Sequence, residues 1–148
     1  MTNKMERSAG IILFRERAGK REYVLLKYHH KNIFWSFAKG IIEKNETEKE
    51  TALREVQEET GLRKIKLIPW FKEKTNYFKT VDGKKIEKEV IWFLGKVEDK
   101  VDGKVSWEHE ELGWFSYTEA SKKIKFKNDQ ELLKKAEKFT SKSHTQSA

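Results

Sequence analysis

Residues 38–62, AKGIIEKNETEKETALREVQEETGL, limit how this chain can fold more than any other stretch does. Thr47 and Glu50 match a capping box, in which each side chain accepts a hydrogen bond from the other's free backbone N–H, so a helix is predicted to start at Thr47. Gly61 predicts the end of that helix, because glycine readily adopts the left-handed conformation of a C-cap. The stripe expected to face the core consists of Ala52, Leu53, Val56 and Thr60.

Three glutamates, Glu55, Glu58 and Glu59, are predicted to lie together on the opposite face of this helix. Each like-charge pair at such a spacing costs about 0.2–0.5 kcal/mol in an isolated helix. A cation between the carboxylates would offset this repulsion. Carboxylates without cysteine or a nearby histidine favour a hard ion such as Mg²⁺ or Mn²⁺. The alternative is a solvated acidic face, which is the ordinary environment of glutamate.

The composition of the chain predicts its size class and its surroundings. Its 148 residues suit one domain, expected at residues 1–139, whereas the polar residues 140–148 are expected to be a disordered tail. No apolar run approaches the roughly 18 residues of a membrane span, and the N-terminus lacks a secretory apolar region. With no cysteine either, the sequence predicts a cytoplasmic protein.

The charge of the chain is strongly basic, with 32 Lys and Arg against 24 Asp and Glu and a formal net charge of +8. This surplus favours an anionic partner, either nucleic acid or a phosphorylated small molecule. The alternative is that the scattered lysines only cover a solvated surface.

The remaining sequence alternates strand and turn patterns before it ends in helices. The predicted strands are SAGIILF (8–14), YVLLKY (23–28), IFWSF (33–37) and LGWFSY (112–117). Asp82 and Gly83 separate two further strand patterns and predict a hairpin. Helices are expected from Thr118 and from Asn128, the second ending near Phe139. Several strands with a central and a terminal helix predict an α+β or mixed α/β sandwich.

The spacing of the acidic stretch resembles a known motif. Gly40, Glu46 and the run REVQEETGL (54–62) match every fixed position of the Nudix box. This resemblance implies a Nudix fold, an α/β/α sandwich with a mixed β-sheet. It also implies hydrolysis of a nucleoside diphosphate linked to another group.

The resemblance also implies roles for individual residues in this stretch. Glu58 or Glu59 is the candidate base for the attacking water. Arg54 is a further implied catalytic-site residue. Together with Glu46 it would brace the loop against the helix. The implied metal ligands are Glu55, Glu58, Glu59 and the carbonyl of Gly40.

Outside the box, the chain resembles the asymmetrical diadenosine tetraphosphate hydrolases. The similar segments are SAGIILFR, FKEKTNYF, EVIWFLGKV, SWEHEELGWFSYTEA and KFKNDQELLKKA. In that family an aromatic residue matching Tyr77 stacks on adenine, and one matching Phe126 closes the other side. The other implied site residues are Lys39 and Lys88 for the polyphosphate, Glu108 as a further metal ligand or base, and His109 beside it for the substrate.

The chain departs from the family pattern at several positions. It has Ala38, Phe34 and Trp107 where members commonly show proline, histidine and histidine. Simpler roles also stay open for the implied substrate residues. The two aromatic residues could belong to the core, Lys88 could be a surface lysine, and His109 could be an exposed or hydrogen-bonded histidine.

The predicted function is therefore a Mg²⁺- or Mn²⁺-dependent hydrolase that splits diadenosine tetraphosphate into ATP and AMP. Two alternatives within the fold are an RNA 5′-end pyrophosphohydrolase and a nucleoside triphosphate pyrophosphohydrolase. A third, of another class, is a non-catalytic module that binds nucleotides or nucleic acid. Both a monomer and a homodimer are compatible with the sequence.

Overall fold

The computed structural model of the chain describes residues 5–29, 32–106 and 109–146. The strands in these ranges are β1 Met5–Arg17, β2 Lys20–His29, β3 Ile33–Ser36, β4 Ala38–Ile41, β5 Ile65–Leu67, β6 Glu73–Val81, β7 Lys84–Val97 and β8 His109–Phe115. The helices are α1 Glu48–Thr60, α2 Tyr117–Lys123 and α3 Lys127–Gln146.

One mixed sheet contains all eight strands of the described ranges. Its main path runs β3-β2-β1-β7-β5, while β4 pairs with β1, β6 with β7 and β8 with β2. The β1–β7 pair is parallel, and the pairs that β1 forms with β2 and β4 are antiparallel. Residues 8–14 of β1 are buried without interruption, as expected for a central strand covered on both faces.

Helices cover both faces of this sheet. On one face, Ile12 and Trp92 pack with Leu133 of α3 in a core that α2 also joins. On the other face, Ile11 packs in a core that contains Val56 of α1. The predicted α/β/α sandwich with a mixed sheet is therefore confirmed. Among the described helices, none is both long and apolar enough to cross a membrane.

Helix α1 has the ends that its sequence predicts. The Thr47 hydroxyl accepts a hydrogen bond from the Glu50 N–H at 3.1 Å, and the Glu50 carboxylate accepts one from the Thr47 N–H at 2.9 Å. Gly61 ends the helix in the left-handed conformation, with φ 73°. These caps satisfy backbone groups that a helix end otherwise leaves unpaired, and they fix where the acidic residues of α1 lie.

Several element boundaries differ from the sequence predictions. The short strands β4 and β5 were not predicted, and β8 ends before Ser116, which caps α2, so Tyr117 is helical. Helix α3 extends past Phe139, and Thr140 is buried, donates to the Ala136 carbonyl and accepts from Arg21. The disorder expected for residues 140–148 stays a prediction.

Candidate active site

Gly40 of β4 lies directly against Glu55 of α1. A Cβ atom at position 40 would be 2.0 Å from the carboxyl carbon of Glu55 and 2.2 and 2.4 Å from its two oxygens. Any side chain at position 40 would force the Glu55 carboxylate to move, so glycine leaves room for that carboxylate beside the strand. The contact places the Glu55 carboxylate on the backbone of β4.

Glu59 is buried rather than exposed on the acidic face. It is 5% exposed, and its Oε2 accepts a hydrogen bond from the Lys39 N–H at 3.2 Å. The expectation that all three glutamates lie opposite the core is wrong for this residue. Position 59 is three residues after Val56, which is in the core, so the helix turns Glu59 toward the sheet.

Arg54 binds the carboxylates that surround it. Its guanidinium donates to both oxygens of Glu46, at 2.6 and 2.9 Å, and to Glu55 at 2.9 Å. A longer contact of 3.3 Å reaches Glu58, whose side chain is 59% exposed. The Arg54 hydrogen bond lowers the pKa of Glu46 to about 2, and the pKa of Arg54 is raised. Arg54 thus ties the loop that contains Glu46 to α1 and offsets the repulsion among the acids.

The donor chemistry of this region fits a hard divalent cation. Glu55 and Glu59 supply carboxylate oxygens where α1 meets β4, whereas the exposed side chain of Glu58 contacts Arg54. Within the described residues, no three acidic or histidine side chains already converge on one point. Glu108, the further ligand that the sequence suggests, lies outside these residues.

Lys39 connects the acidic helix with Tyr77 of β6. Its ammonium group donates to the Tyr77 hydroxyl at 2.9 Å and lies 4.9 Å from the centre of the ring. Tyr77 is 39% exposed, so the alternative that it is a core aromatic is wrong. The backbone N–H of Lys39 binds Glu59, and one residue therefore contacts both groups.

A row of aromatic rings runs from Phe126 toward Glu59. Phe126 is 43% exposed, which excludes a core position, and its ring meets Phe34 edge-on at 5.1 Å. Phe34 stacks on Tyr28 at 5.1 Å, and Tyr28 meets His109 edge-on at 4.5 Å. Burial first, and then the charge of Glu59, raises the pKa of Tyr28 well above its usual range. Phe126 therefore joins the acidic side of the site through packed rings.

Lys88 lies opposite Tyr77 in the pairing of β6 and β7. Its ammonium group pairs with the Glu6 carboxylate, and its side chain is only 12% exposed. The structure therefore brings Lys88 near Tyr77 but engages its charge with an acid of β1.

Asp129 is a half-buried acid within reach of the Lys39 charge that the sequence analysis did not single out. Its carboxylate accepts a hydrogen bond from the Ser36 hydroxyl at 2.8 Å. Burial raises its pKa, while the Ser36 hydrogen bond and the Lys39 charge oppose that change. In the sequence, Asp129 is only an acid in the first turn of a helix, which is common. Its partner Ser36 lies on β3, far away in the sequence, so no local pattern predicts the contact.

The chain is similar to known proteins over most of its length. A family model described as the NUDIX domain matches residues 4–136. The asymmetrical bis(5′-nucleosyl)-tetraphosphatase of Sus scrofa is 32% identical over 142 residues, which cover 90% of this chain and 94% of that protein. The protein of the same name from Caenorhabditis elegans is 29% identical over 133 residues, which cover 90% of this chain and 95% of that protein.

A solved structure supports the same comparison. The crystal structure of a C. elegans Ap4A hydrolase binary complex superposes with a TM-score of 0.81 at 28% identity. The match covers 92% of this chain and 98% of that chain.

Proposed function

Since this chain belongs to the Nudix family and is a hydrolase acting on phosphorus-containing acid anhydrides, we propose that its substrate is diadenosine tetraphosphate, cleaved into ATP and AMP with Mg²⁺ or Mn²⁺. The observation that carries this proposal is the position of Lys39. Its backbone binds Glu59 at 3.2 Å and its side chain binds Tyr77 at 2.9 Å. A nucleotide stacked on Tyr77 would therefore have its phosphates beside the acidic helix.

Tyr77 and Phe126 would hold one adenine of the substrate. Both rings are partly exposed and come from distant parts of the chain, β6 and the residue before α3. Stacking on an aromatic side chain contributes about 1–3 kcal/mol per base. Lys39 would attract the polyphosphate. Lys88 would do the same if its ammonium group left the Glu6 carboxylate and bound a phosphate instead. Binding energy from the adenosine would then position the phosphorus that reacts.

The acidic residues would hold the metal and accept the proton of the attacking water. The proposed ligands are the carboxylates of Glu55, Glu58, Glu59 and Glu108 with the carbonyl of Gly40. A bound Mg²⁺ or Mn²⁺ neutralises phosphate charge and lowers the pKa of a bound water. Glu58 or Glu59 would take a proton from the attacking water while the oxygen of that water bonds to phosphorus. At the same time the P–O bond to the leaving nucleotide would break. Arg54 would keep the loop that contains Glu46 at a fixed position relative to α1.

Product analysis tests this function. With Mg²⁺, the wild type should convert diadenosine tetraphosphate to ATP and AMP, and Glu58→Gln and Glu59→Gln should each lose at least about 10²-fold in turnover. The same assay with a nucleoside triphosphate and with triphosphate-ended RNA compares the alternative substrates. Preferred cleavage of either alternative would reassign the substrate, and inertness toward all three would favour a binding module.

Tyr77→Ala tests the adenine site. The variant should lower kcat/KM for diadenosine tetraphosphate about tenfold to a hundredfold, since it removes one stacking face. Cleavage of inorganic polyphosphate, which has no base, should not change by that factor. Phe78→Ala is the matched control, because Phe78 is the next residue of β6, is 57% exposed and points to the other face. Equal losses in the two variants, or a uniform loss with a lowered melting temperature, would contradict stacking by Tyr77.

A further inference from the structure

His109 is buried next to Glu59, and the proposed reaction leaves it without a role. Its side chain is 2% exposed, and its Nε2 lies 3.9 Å from Glu59 Oε1. Its Nδ1 lies 3.3 Å from the Ser106 hydroxyl. A side chain this buried does not reach a substrate at the protein surface, which argues against the substrate contact expected from the sequence.

The backbone around Ser106 is tied to the end of α1. The Lys104 N–H donates to the Thr60 carbonyl at 2.8 Å, and the Ser106 N–H donates to the Glu59 carbonyl at 3.2 Å. The His109 N–H in turn donates to the Ser106 carbonyl at 3.1 Å. These bonds hold the backbone of Ser106 and His109 near the end of α1, independently of the contact between the side chains of His109 and Glu59.

We propose that His109 is a positioning residue that holds the Glu59 carboxylate against β4, with Ser106 fixing the orientation of its ring. The Ser106 hydroxyl lies 3.3 Å from Nδ1, and in the arrangement we propose it donates to Nδ1, which leaves the hydrogen of a neutral ring on Nε2, the atom that faces Glu59. Glu59 then has a donor on each side: the Lys39 N–H donates to one oxygen at 3.2 Å, and the His109 N–H faces the other oxygen across 3.9 Å, a charge–dipole contact longer than a hydrogen bond. The proposal rests on the proposed function in taking Glu59 as a metal ligand or base.

Holding the carboxylate matters because a ligand that rotates freely binds its metal more weakly. Residues that orient metal ligands typically contribute tenfold to a hundredfold to metal affinity or activity. The competing explanation is that His109 only packs, since its ring meets Tyr28 edge-on at 4.5 Å. A phenylalanine keeps this ring contact but has no N–H, whereas a glutamine keeps an N–H donor but has no ring.

Metal binding without substrate separates the two explanations. Mn²⁺ is titrated into the wild type, His109→Phe, His109→Gln and Ser106→Ala, and the free ion is followed by its electron paramagnetic resonance signal. We expect the Mn²⁺ Kd to rise about tenfold to a hundredfold in His109→Phe. The rise should be smaller in His109→Gln and in Ser106→Ala, where an N–H donor remains. His29→Gln, which changes an exposed histidine of β2, should bind Mn²⁺ as the wild type does.

Steady-state kinetics and melting curves complete the test. In His109→Phe, kcat for diadenosine tetraphosphate should fall with little change in KM, at an unchanged melting temperature. Wild-type Mn²⁺ affinity in His109→Phe would overturn the positioning role and leave the proposed function intact. Should His109→Phe fail to fold, Ser106→Ala decides: a wild-type Mn²⁺ Kd in this variant would overturn the positioning role, and a raised Kd would support it. A wild type that binds no Mn²⁺ would overturn the proposed function and this inference with it.

Discussion

Gly40 leaves room, at the scale of single residues, for the Glu55 carboxylate beside β4. Because a Cβ atom would lie 2.0 Å from the Glu55 carboxyl carbon, Gly40→Ala must displace that carboxylate. We expect the variant to lose about tenfold to a hundredfold in Mn²⁺ affinity with little change in the free energy of unfolding, because the atoms displaced are the end of a flexible side chain. Mn²⁺ titration and urea unfolding measure the two effects. Ile41→Ala, at an exposed position of the same strand, should bind Mn²⁺ normally, and an unchanged Kd in Gly40→Ala would show that Glu55 is no ligand.

Glu46 makes a pH-dependent contribution to stability through Arg54. Its folded pKa is lowered from 4.5 to about 2, chiefly by the Arg54 hydrogen bond. A depressed pKa stabilises the folded state fully above about pH 4.5 and loses that effect as pH falls toward 2. The wild type should therefore be more stable than Glu46→Gln at neutral pH, and the two melting temperatures should converge near pH 2. A difference that stays constant across this range would contradict the ion pair as its source.

The caps of α1 set, at the scale of elements, where its acidic residues stand. Thr47→Ala removes the hydroxyl that accepts from the Glu50 N–H, and it should cost about 1 kcal/mol in the free energy of unfolding. Thr47→Ser keeps the hydroxyl and should be close to the wild type. Urea unfolding of both variants checks this, and equal stabilities would mean that the capping box contributes nothing measurable.

Elements with local signals were predictable, and elements that depend on distant pairing were not. The caps of α1 and the Asp82-Gly83 hairpin follow from neighbouring residues, and the hairpin turn has the expected positive φ angles of 51° and 75°. Strands β4 and β5 have four and three residues, too few to show a period. Pairing with β1 and β7 stabilises them, and a single sequence does not show that pairing.

The contacts of the candidate site also divide into those that the sequence predicts and those that it does not. Gly40 and Glu55 lie within one short stretch, the sequence predicts them at one site, and the structure places them in contact. The burial of His109, the Ser36–Asp129 hydrogen bond and the ring contact of Phe34 with Phe126 join distant segments. Such contacts become visible only when the sheet and the helices are assembled.

The whole molecule places the two halves of the candidate site on different faces of one sheet. Helix α1 covers one face, and α3 covers the other. Tyr77 shares the α3 face with Thr75, which accepts a hydrogen bond from the buried Trp92 of that core. Lys39 bridges the faces at β4, with its backbone toward Glu59 and its ammonium group toward Tyr77. A substrate bound between them would therefore link parts of the fold that pack in separate cores.

Metal binding should stabilise the whole fold, because the ion binds the folded site and offsets repulsion among the glutamates of α1. Ligand at 100 times its Kd stabilises a protein by about 2.7 kcal/mol, so millimolar Mg²⁺ should raise the melting temperature by several degrees. A chelator should reverse the rise, and NaCl at equal ionic strength should not reproduce it. Glu58→Gln should lose most of the shift, whereas Glu111→Gln, an exposed acid of β8, should keep it. A melting temperature that millimolar Mg²⁺ leaves unchanged would mean that the folded carboxylates do not form a metal site.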